Sequence, residues 1–405
     1  MGEQPKVVWS PYTKGYFENP YEHLKECRDT NPVHKGVHGE WMFFRYKDVY
    51  EIIRSNKFGV SELSQYFAEK EPQIFQGSGC PYLAKGTKKW AMYLNGEDHK
   101  NVRAVMGKAF KAFDLATIIP EAIDDTNSMF KDEAHFDLVT YCSYFIYGII
   151  KRFYSLPESY SFEEVKKYSN MVARSQDLFV PKSVYREMND WFLKGNTMFS
   201  EGLNDPLAGY TQNLISISKK SGLDYQEEDI LSILAVSLMA AFETSKDSLS
   251  IALLELMKSD DLLDTVLEAN DSALNMIIEE LFRFTAPLQY TVRVSNTAVS
   301  CAGQEIPANA KVYICLASAN RDPEVFHQPD ELLLSREKNN HLSFGAGLHT
   351  CAGAFIARQE MKYCLKPMIE LLKNYRIDTN QKPIYARQIM MRTIESAPVI
   401  RRSDA

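Results

Sequence analysis

Ten residues, Phe344 to Gly353 (FGAGLHTCAG), constrain this chain more than any other stretch, because they set one cysteine inside a glycine-rich turn that opens into a helical pattern. Gly345 and Gly347 can take backbone angles closed to residues with a Cβ, so the chain can turn tightly and approach a flat ligand. The segment that follows, AFIARQEMKYCLKPMIELLK, repeats apolar residues at spacings of three and four, the period of a helix. A thiol near a helix N-terminus meets backbone N–H groups and the positive end of the helix dipole, both of which favour its anion. Cys351 is therefore expected to be a thiolate.

Four fates are open to such a sulfur: nucleophile, zinc ligand, haem ligand or inert core thiol, the last being commonest for a cysteine taken alone. Zinc lacks support, since Cys27, Cys80, Cys142, Cys301, Cys315, Cys351 and Cys364 include no C-x-x-C pair and no Cys/His cluster at ligand spacing. A nucleophile wants a base; His349 is two residues away, but nothing else resembles a cysteine-hydrolase signature. The segment as a whole resembles the haem-binding loop of the cytochrome P450 family, in which Phe, two Gly, a basic residue, Cys and a further Gly recur at this spacing. Phe344, Gly345, His349, Cys351 and Gly353 stand at those positions.

Three more segments match that family in order. Ala240-Ala241-Phe242-Glu243-Thr244-Ser245 interrupts an apolar helical run and is similar to the oxygen-activation motif of the family's long central helix. The alternative for these two polar residues is a surface Glu and a Thr bonded back to the carbonyl one turn earlier. Glu280 and Arg283 share a helix face inside IIEELFRF and resemble the family's structural Glu-x-x-Arg pair. Most such pairs are solvated and contribute little. Many members complete this pair with an Arg in a Pro-Asp-Arg-Phe stretch; this chain has Pro329-Asp330-Glu331-Leu332 instead, and Arg336 is the expected substitute. His99 and Arg103, four apart, offer two donors on one helix face. By resemblance these two, with Arg293 and His349, would hold the haem propionates.

The resemblance spans roughly residues 15–400 and implies one haem-thiolate monooxygenase domain over 1–405. The implied fold is mainly α with small β-sheets: a long central helix, a β-rich lobe, and haem between the central helix and the helix after the cysteine loop. A coarse reading agrees. Helices are expected around PYEHLKECRDT and KDVYEIIRS and from Glu97 to about Phe284, a strand at WMFFRY, a loop-rich stretch from Phe58 to Asn95, and β-hairpins in QYTVRVSNTAVSCAGQEIPANAKVYICLAS. No linker-like or low-complexity tract divides the chain.

A net charge of −7 argues against nucleic acid as the main partner. The longest apolar runs fall short of the ~20 residues that span a bilayer, and no signal-peptide pattern is present. A soluble, cytoplasmic protein without a membrane anchor is the expectation, and the cysteines suit a reducing compartment.

The resemblance also implies a mechanism. Haem b would be the cofactor, with Cys351 as the iron ligand donating electron density that promotes O–O cleavage of O2. Thr244 and Glu243 would manage water and protons on the opposite face, beside Ala240 and Ala241. NAD(P)H-derived electrons would come through a separate ferredoxin or flavodoxin and its reductase, docked on a basic patch of Arg103, Lys108, Lys111 and Arg358. The substrate would be a medium-sized, mostly apolar secondary metabolite, lipid or terpenoid, in a pocket lined by the Phe58–Leu94 and Ser175–Met188 regions, Leu288, Gln289 and Met390. Two other functions compete: a haem-thiolate enzyme using peroxide or catalysing coupling or dehydrogenation, and a non-catalytic haem sensor, for which no output segment is seen.

Overall fold

An apolar run of this length, opened by Gln226 and Asp229 in a reciprocal capping box, gives a thirty-residue helix, Glu227–Leu256, around which the helical part is assembled. The computed structural model describes residues 6–75, 81–177, 180–205 and 209–402; Cys80 and part of the Ser175–Met188 region lie outside them. Helices Leu138–Tyr154, Phe162–Arg174, Lys182–Leu203, Asp271–Thr285 and Ala354–Leu372 all pack on the central one. The interior they share runs from Phe67 to Val399.

The β-rich lobe holds a five-stranded sheet in the order Val33–Lys35, Trp41–Phe43, Lys311–Cys315, Tyr290–Ser295, Phe58–Gly59. Tyr290–Ser295 runs antiparallel to Lys311–Cys315 with Arg293 opposite Val312, and the hairpin Val299–Cys301/Gln304–Ile306 turns at Gly303. Smaller sheets tie the C-terminal strand Pro398–Arg401 to His135–Asp137 and Tyr375–Ile377. No helix among the described residues is long and apolar enough to cross a membrane.

One expectation is corrected. The stretch from Phe58 to Asn95 is not mainly loop: Leu63–Phe75 and Pro81–Gly86 are helices, followed by a short 3-10 turn at Ala91–Tyr93. Leu63 and Phe67, four apart, face the interior, and Phe67 is buried. The turn-forming residues between the two helices obscure that period in the sequence.

Candidate active site

Between Asp229 and Leu254 the central helix is buried at every position except Ala240, Ala241, Thr244 and Ser245, which are partly accessible. Spacings of one, four and five put these four on one helix face. The motif singled out in the sequence is therefore where the long helix comes off the core.

Cys351 belongs to a loop built by its own backbone. Its N–H donates to the Phe344 carbonyl at 2.8 Å, and the Gly345 N–H donates to the Leu342 carbonyl at 2.9 Å. Gly345 and Gly347 have φ of +66° and +71°, the left-handed region that favours glycine. A Cβ on Gly347 would also stand 3.0 Å from the Ile53 carbonyl oxygen, so this glycine lets the loop lie on the helix Tyr46–Arg54; at Gly353 a Cβ would meet nothing. Phe344 packs edge-on against Phe282, ring centroids 4.8 Å apart.

The sulfur is accessible on one side and walled in by protein elsewhere. Burial pushes its pKa above the ordinary thiol value, against the pull of the Gly353 and Ala354 N–H groups and of Arg103 and Arg358. The helix N-terminus alone thus does not make the thiolate, contrary to the sequence expectation. Desolvation wins. An added cation at the sulfur would reverse that balance.

The four proposed propionate partners converge from three parts of the chain. The rings of His99 and His349 lie 4.3 Å apart, and His99 Nε2 and His349 Nδ1 are buried with no partner among the described residues. Burial, then Arg293, His99 and Arg103, drive His349 down to about 3; burial brings Arg293 to about 10. Among the described residues Arg293 donates only to Thr291 Oγ1 and the Val292 carbonyl, and neither it nor Arg103 meets a carboxylate. Two guanidinium groups and two orphaned imidazole nitrogens without an anion lack what a pair of carboxylates would bring. The residues present fit a haem held with its propionates here and its iron at Cys351.

Glu280 and Arg283 are fully buried and joined twice, Nε to Oε2 and Nη2 to Oε1, each at 2.8 Å. Arg336 Nε reaches the same Oε2 at 2.8 Å, the Leu333 N–H donates to Oε1 and Asn339 Nδ2 to Oε2. Arg283 uses its other donors on the carbonyls of Asn320, Pro329 and Glu331. The chain that leads into the cysteine loop is thus fastened by carbonyl contacts to one buried ion cluster.

On the central helix, Thr244 Oγ1 donates to the Ala240 carbonyl at 2.5 Å. Glu243 is buried, not on the surface, and one of its oxygens accepts from Lys246 at 2.9 Å; among the described residues its Oε1 has no partner. Arg358 also departs from expectation. It is held by Glu279 through two bonds, 2.6 and 2.8 Å, which removes it from a free basic patch and leaves Lys108 and Lys111 exposed. Gln289 places one amide N–H on the Ala286 carbonyl, and among the described residues its Oε1 has no partner and can orient a ligand; its backbone N–H joins the Met390 carbonyl, and Leu288 bridges to Met391.

Several groups escaped the sequence reading. Tyr93 donates to Gln176 Oε1 at 3.0 Å, and the Gln176 amide rests 3.5 Å from Met239 Sδ, one residue before Ala240. Ser245 donates at 2.6 Å to Glu360, a carboxyl that burial pushes up to about 7. Lys246 and Asp247 lie buried beside Glu243. Charges inside an apolar run were the available signal for the last two.

Comparison with known proteins gives one family. The model described as Cytochrome P450 matches residues 196–397. The chain is 23% identical over 410 residues to the "Epothilone C/D epoxidase" of Sorangium cellulosum, covering 98% of this chain and 96% of that protein. It is 23% identical over 405 residues to the "Biotin biosynthesis cytochrome P450" of Bacillus subtilis (strain 168), covering 97% and 99%. Among solved structures, that of CalO2 superposes with a TM-score of 0.86 at 21% identity over 98% of this chain and all of that one. P450BioI in complex with hexadec-9Z-enoic acid ligated acyl carrier protein gives 0.85 at 22%, covering 96% and 100%.

Proposed function

The chain belongs to the cytochrome P450 family, and on that premise we propose that it is a monooxygenase placing one atom of O2 into a C–H bond or alkene of a medium-sized, mostly apolar molecule. The second oxygen atom leaves as water, so each turnover consumes two electrons and two protons. The electrons come from NAD(P)H through a separate ferredoxin or flavodoxin. Haem b, bound through Cys351, supplies the oxygen activation.

The chain's own residues bind, orient and manage protons. His99, Arg103, Arg293 and His349 receive the propionates with charge-assisted bonds. Backbone N–H groups of Gly353 and Ala354 steady the sulfur's charge. Ala240 and Ala241 keep the facing helix surface small and apolar, and Thr244 holds a proton or a water where oxygen is reduced. The pocket's polar points are Gln289 Oε1 and the Tyr93–Gln176 pair. Similar proteins named for an epothilone epoxidation and for biotin biosynthesis support a biosynthetic substrate, whether secondary metabolite, lipid or terpenoid.

The observation that carries this reading is the partly open stripe Ala240–Ala241–Thr244–Ser245, together with an unmatched donor cluster at His99, Arg103, Arg293 and His349. Cys351→Ser should abolish the thiolate-type spectrum of the reduced carbon monoxide complex, whereas Cys364→Ser and Cys315→Ser should keep it. Survival of the spectrum in Cys351→Ser ends the assignment. A second reading, a peroxide-driven or dehydrogenating enzyme, is favoured by one observation: the Thr244 hydroxyl is spent on Ala240 and Glu243 on Lys246. Thr244→Ala separates the two. Under the monooxygenase reading, product per NAD(P)H falls and hydrogen peroxide rises; under the second, neither changes.

A further inference from the structure

The middle of the central helix carries three charged side chains that the reaction above does not fully use. Glu243, Lys246 and Asp247 are 2%, 6% and 0% exposed. Lys246 Nζ lies 2.9 Å from Glu243 Oε2 and 3.4 Å from Asp247 Oδ1, bridging the two acids. Among the described residues Glu243 Oε1 and Asp247 Oδ2 have no hydrogen-bond partner. Around them stand the Ile394 N–H, which donates to Asp247 Oδ1 at 3.3 Å, the Thr393 hydroxyl, and from the helix Leu138–Tyr154 the thiol of Cys142, pushed up to about 12 by burial and so neutral. Asp137 acts on Cys142 from the start of that helix but is bonded to Thr140, Ser396 and Ala397.

One ammonium faces two carboxylates away from water. Two bare anions against one cation would leave an uncompensated buried charge, which costs several kcal/mol. The economical state is neutral, with one extra proton shared by the two acids. Lys246 is nearer Glu243, so the proton resides on Asp247, consistent with burial raising that carboxyl to about 7. Burial alone would lower Lys246, but Asp247 and Glu243 more than reverse this and keep it an ammonium.

We propose that this trio is an internal proton store, in which Asp247 holds a proton that Lys246 passes to Glu243, next to Thr244, during turnover. The step balances. The Lys246 ammonium gives a proton to the Glu243 carboxylate and takes one from the Asp247 carboxylic acid, so the lysine is restored as an ammonium paired with Asp247 and Glu243 becomes the acid. Delivery from Glu243 then leaves one proton to be regained from solvent. The proposal rests on the monooxygenase reading above, with Glu243 delivering protons beside Thr244; Lys246 and Asp247 touch neither substrate nor cofactor and act through Glu243.

The decisive measurement is infrared spectroscopy of the haem-loaded protein with aspartate carboxyl groups labelled with ¹³C. A protonated aspartic acid band should titrate near neutral pH, vanish in Asp247→Asn, and shift in Lys246→Met. Absence of such a band in the wild type overturns the store, and this arm stands even if a variant folds poorly. A second arm uses NADPH, a surrogate ferredoxin pair and no substrate, and reads the share of electrons recovered as water and not as hydrogen peroxide. Asp247→Asn should lower the water share roughly 10-fold or more and flatten its pH profile, at unchanged haem content. If Glu243→Gln lowers the water share and Asp247→Asn does not, the store is wrong while delivery by Glu243 stands. If Glu243→Gln has no effect, both fall.

Discussion

Replacing Glu280 by alanine is the most severe single test of the architecture. The side chain accepts from Arg283 twice, from Arg336, from the Leu333 N–H and from Asn339, all within 3.0 Å. Its loss leaves two guanidinium groups, 0% and 9% exposed, without an anion. Breaking a buried pair in this way costs roughly 3–5 kcal/mol. Each orphaned neutral donor adds about 1–3 kcal/mol. The sum is comparable to the whole stability of a typical protein, about 5–15 kcal/mol. Glu280→Ala should therefore yield little soluble protein with bound haem. Glu280→Gln keeps the shape and an acceptor but not the charge, and should fall nearly as far. Arg336→Met leaves the Glu280–Arg283 pair whole and should be milder. The assays are urea unfolding followed by circular dichroism and haem per polypeptide. A Glu280→Gln protein that unfolds at the wild-type urea concentration with full haem would refute the argument that charge holds this cluster.

Three further outcomes follow from individual contacts. Burial lifts Glu360 from 4.5 to about 7 in the folded state, so the native protein holds the extra proton and loses stability as pH rises from 4.5 to 7, by about 3 kcal/mol in all; Glu360→Gln should unfold with a flatter pH profile, and parallel profiles would contradict this. Gly347→Ala forces a Cβ into the left-handed region and against the Ile53 carbonyl, costing about 1–2 kcal/mol of stability, whereas Gly353→Ala meets open space and should spare stability while impairing haem loading. His349→Phe removes one charge-assisted donor worth about 1.5–3 kcal/mol, so haem transfer to an acceptor apoprotein should quicken ~10–100-fold.

Local signals in the sequence carried the site further than the pocket. A cysteine between glycines, and Glu and Arg three apart in an apolar stretch, are statements about neighbours, and helical period turns them into shared faces. Arg336 is legible because Glu331 and Leu332 stand where the usual partner would be, leaving it the cation that meets Glu280. Helical period does not say which face meets which element. Helical phase places Glu243 beside Thr244, yet its carboxylate turns toward Lys246, a cation three residues on and equally visible in the sequence. The contact of His99 with His349 and the capture of Arg358 by Glu279 link residues far apart in the chain, and no spacing rule reports them. Turn-forming residues between Leu63–Phe75 and Pro81–Gly86 hide both helices in the sequence, although each buries an apolar side chain, Phe67 and Leu83.

Glu279 and Glu280 are consecutive, yet their carboxylates serve different clients: Glu279 binds Arg358 on the helix after the cysteine and His341 before it, while Glu280 binds Arg336 and the chain leading toward that loop. One turn of the helix Asp271–Thr285 therefore works as a keyed shaft, holding two parts of the cysteine segment in fixed angular phase. Inserting a single residue upstream in that helix, between Asn275 and Met276 for example, rotates everything after it by ~100° relative to what precedes it. Either the downstream half keeps its grip on both clients and the upstream half loses its packing, or the reverse. Length changes should accordingly be tolerated in the loop Ala269–Asn270 but not within this helix.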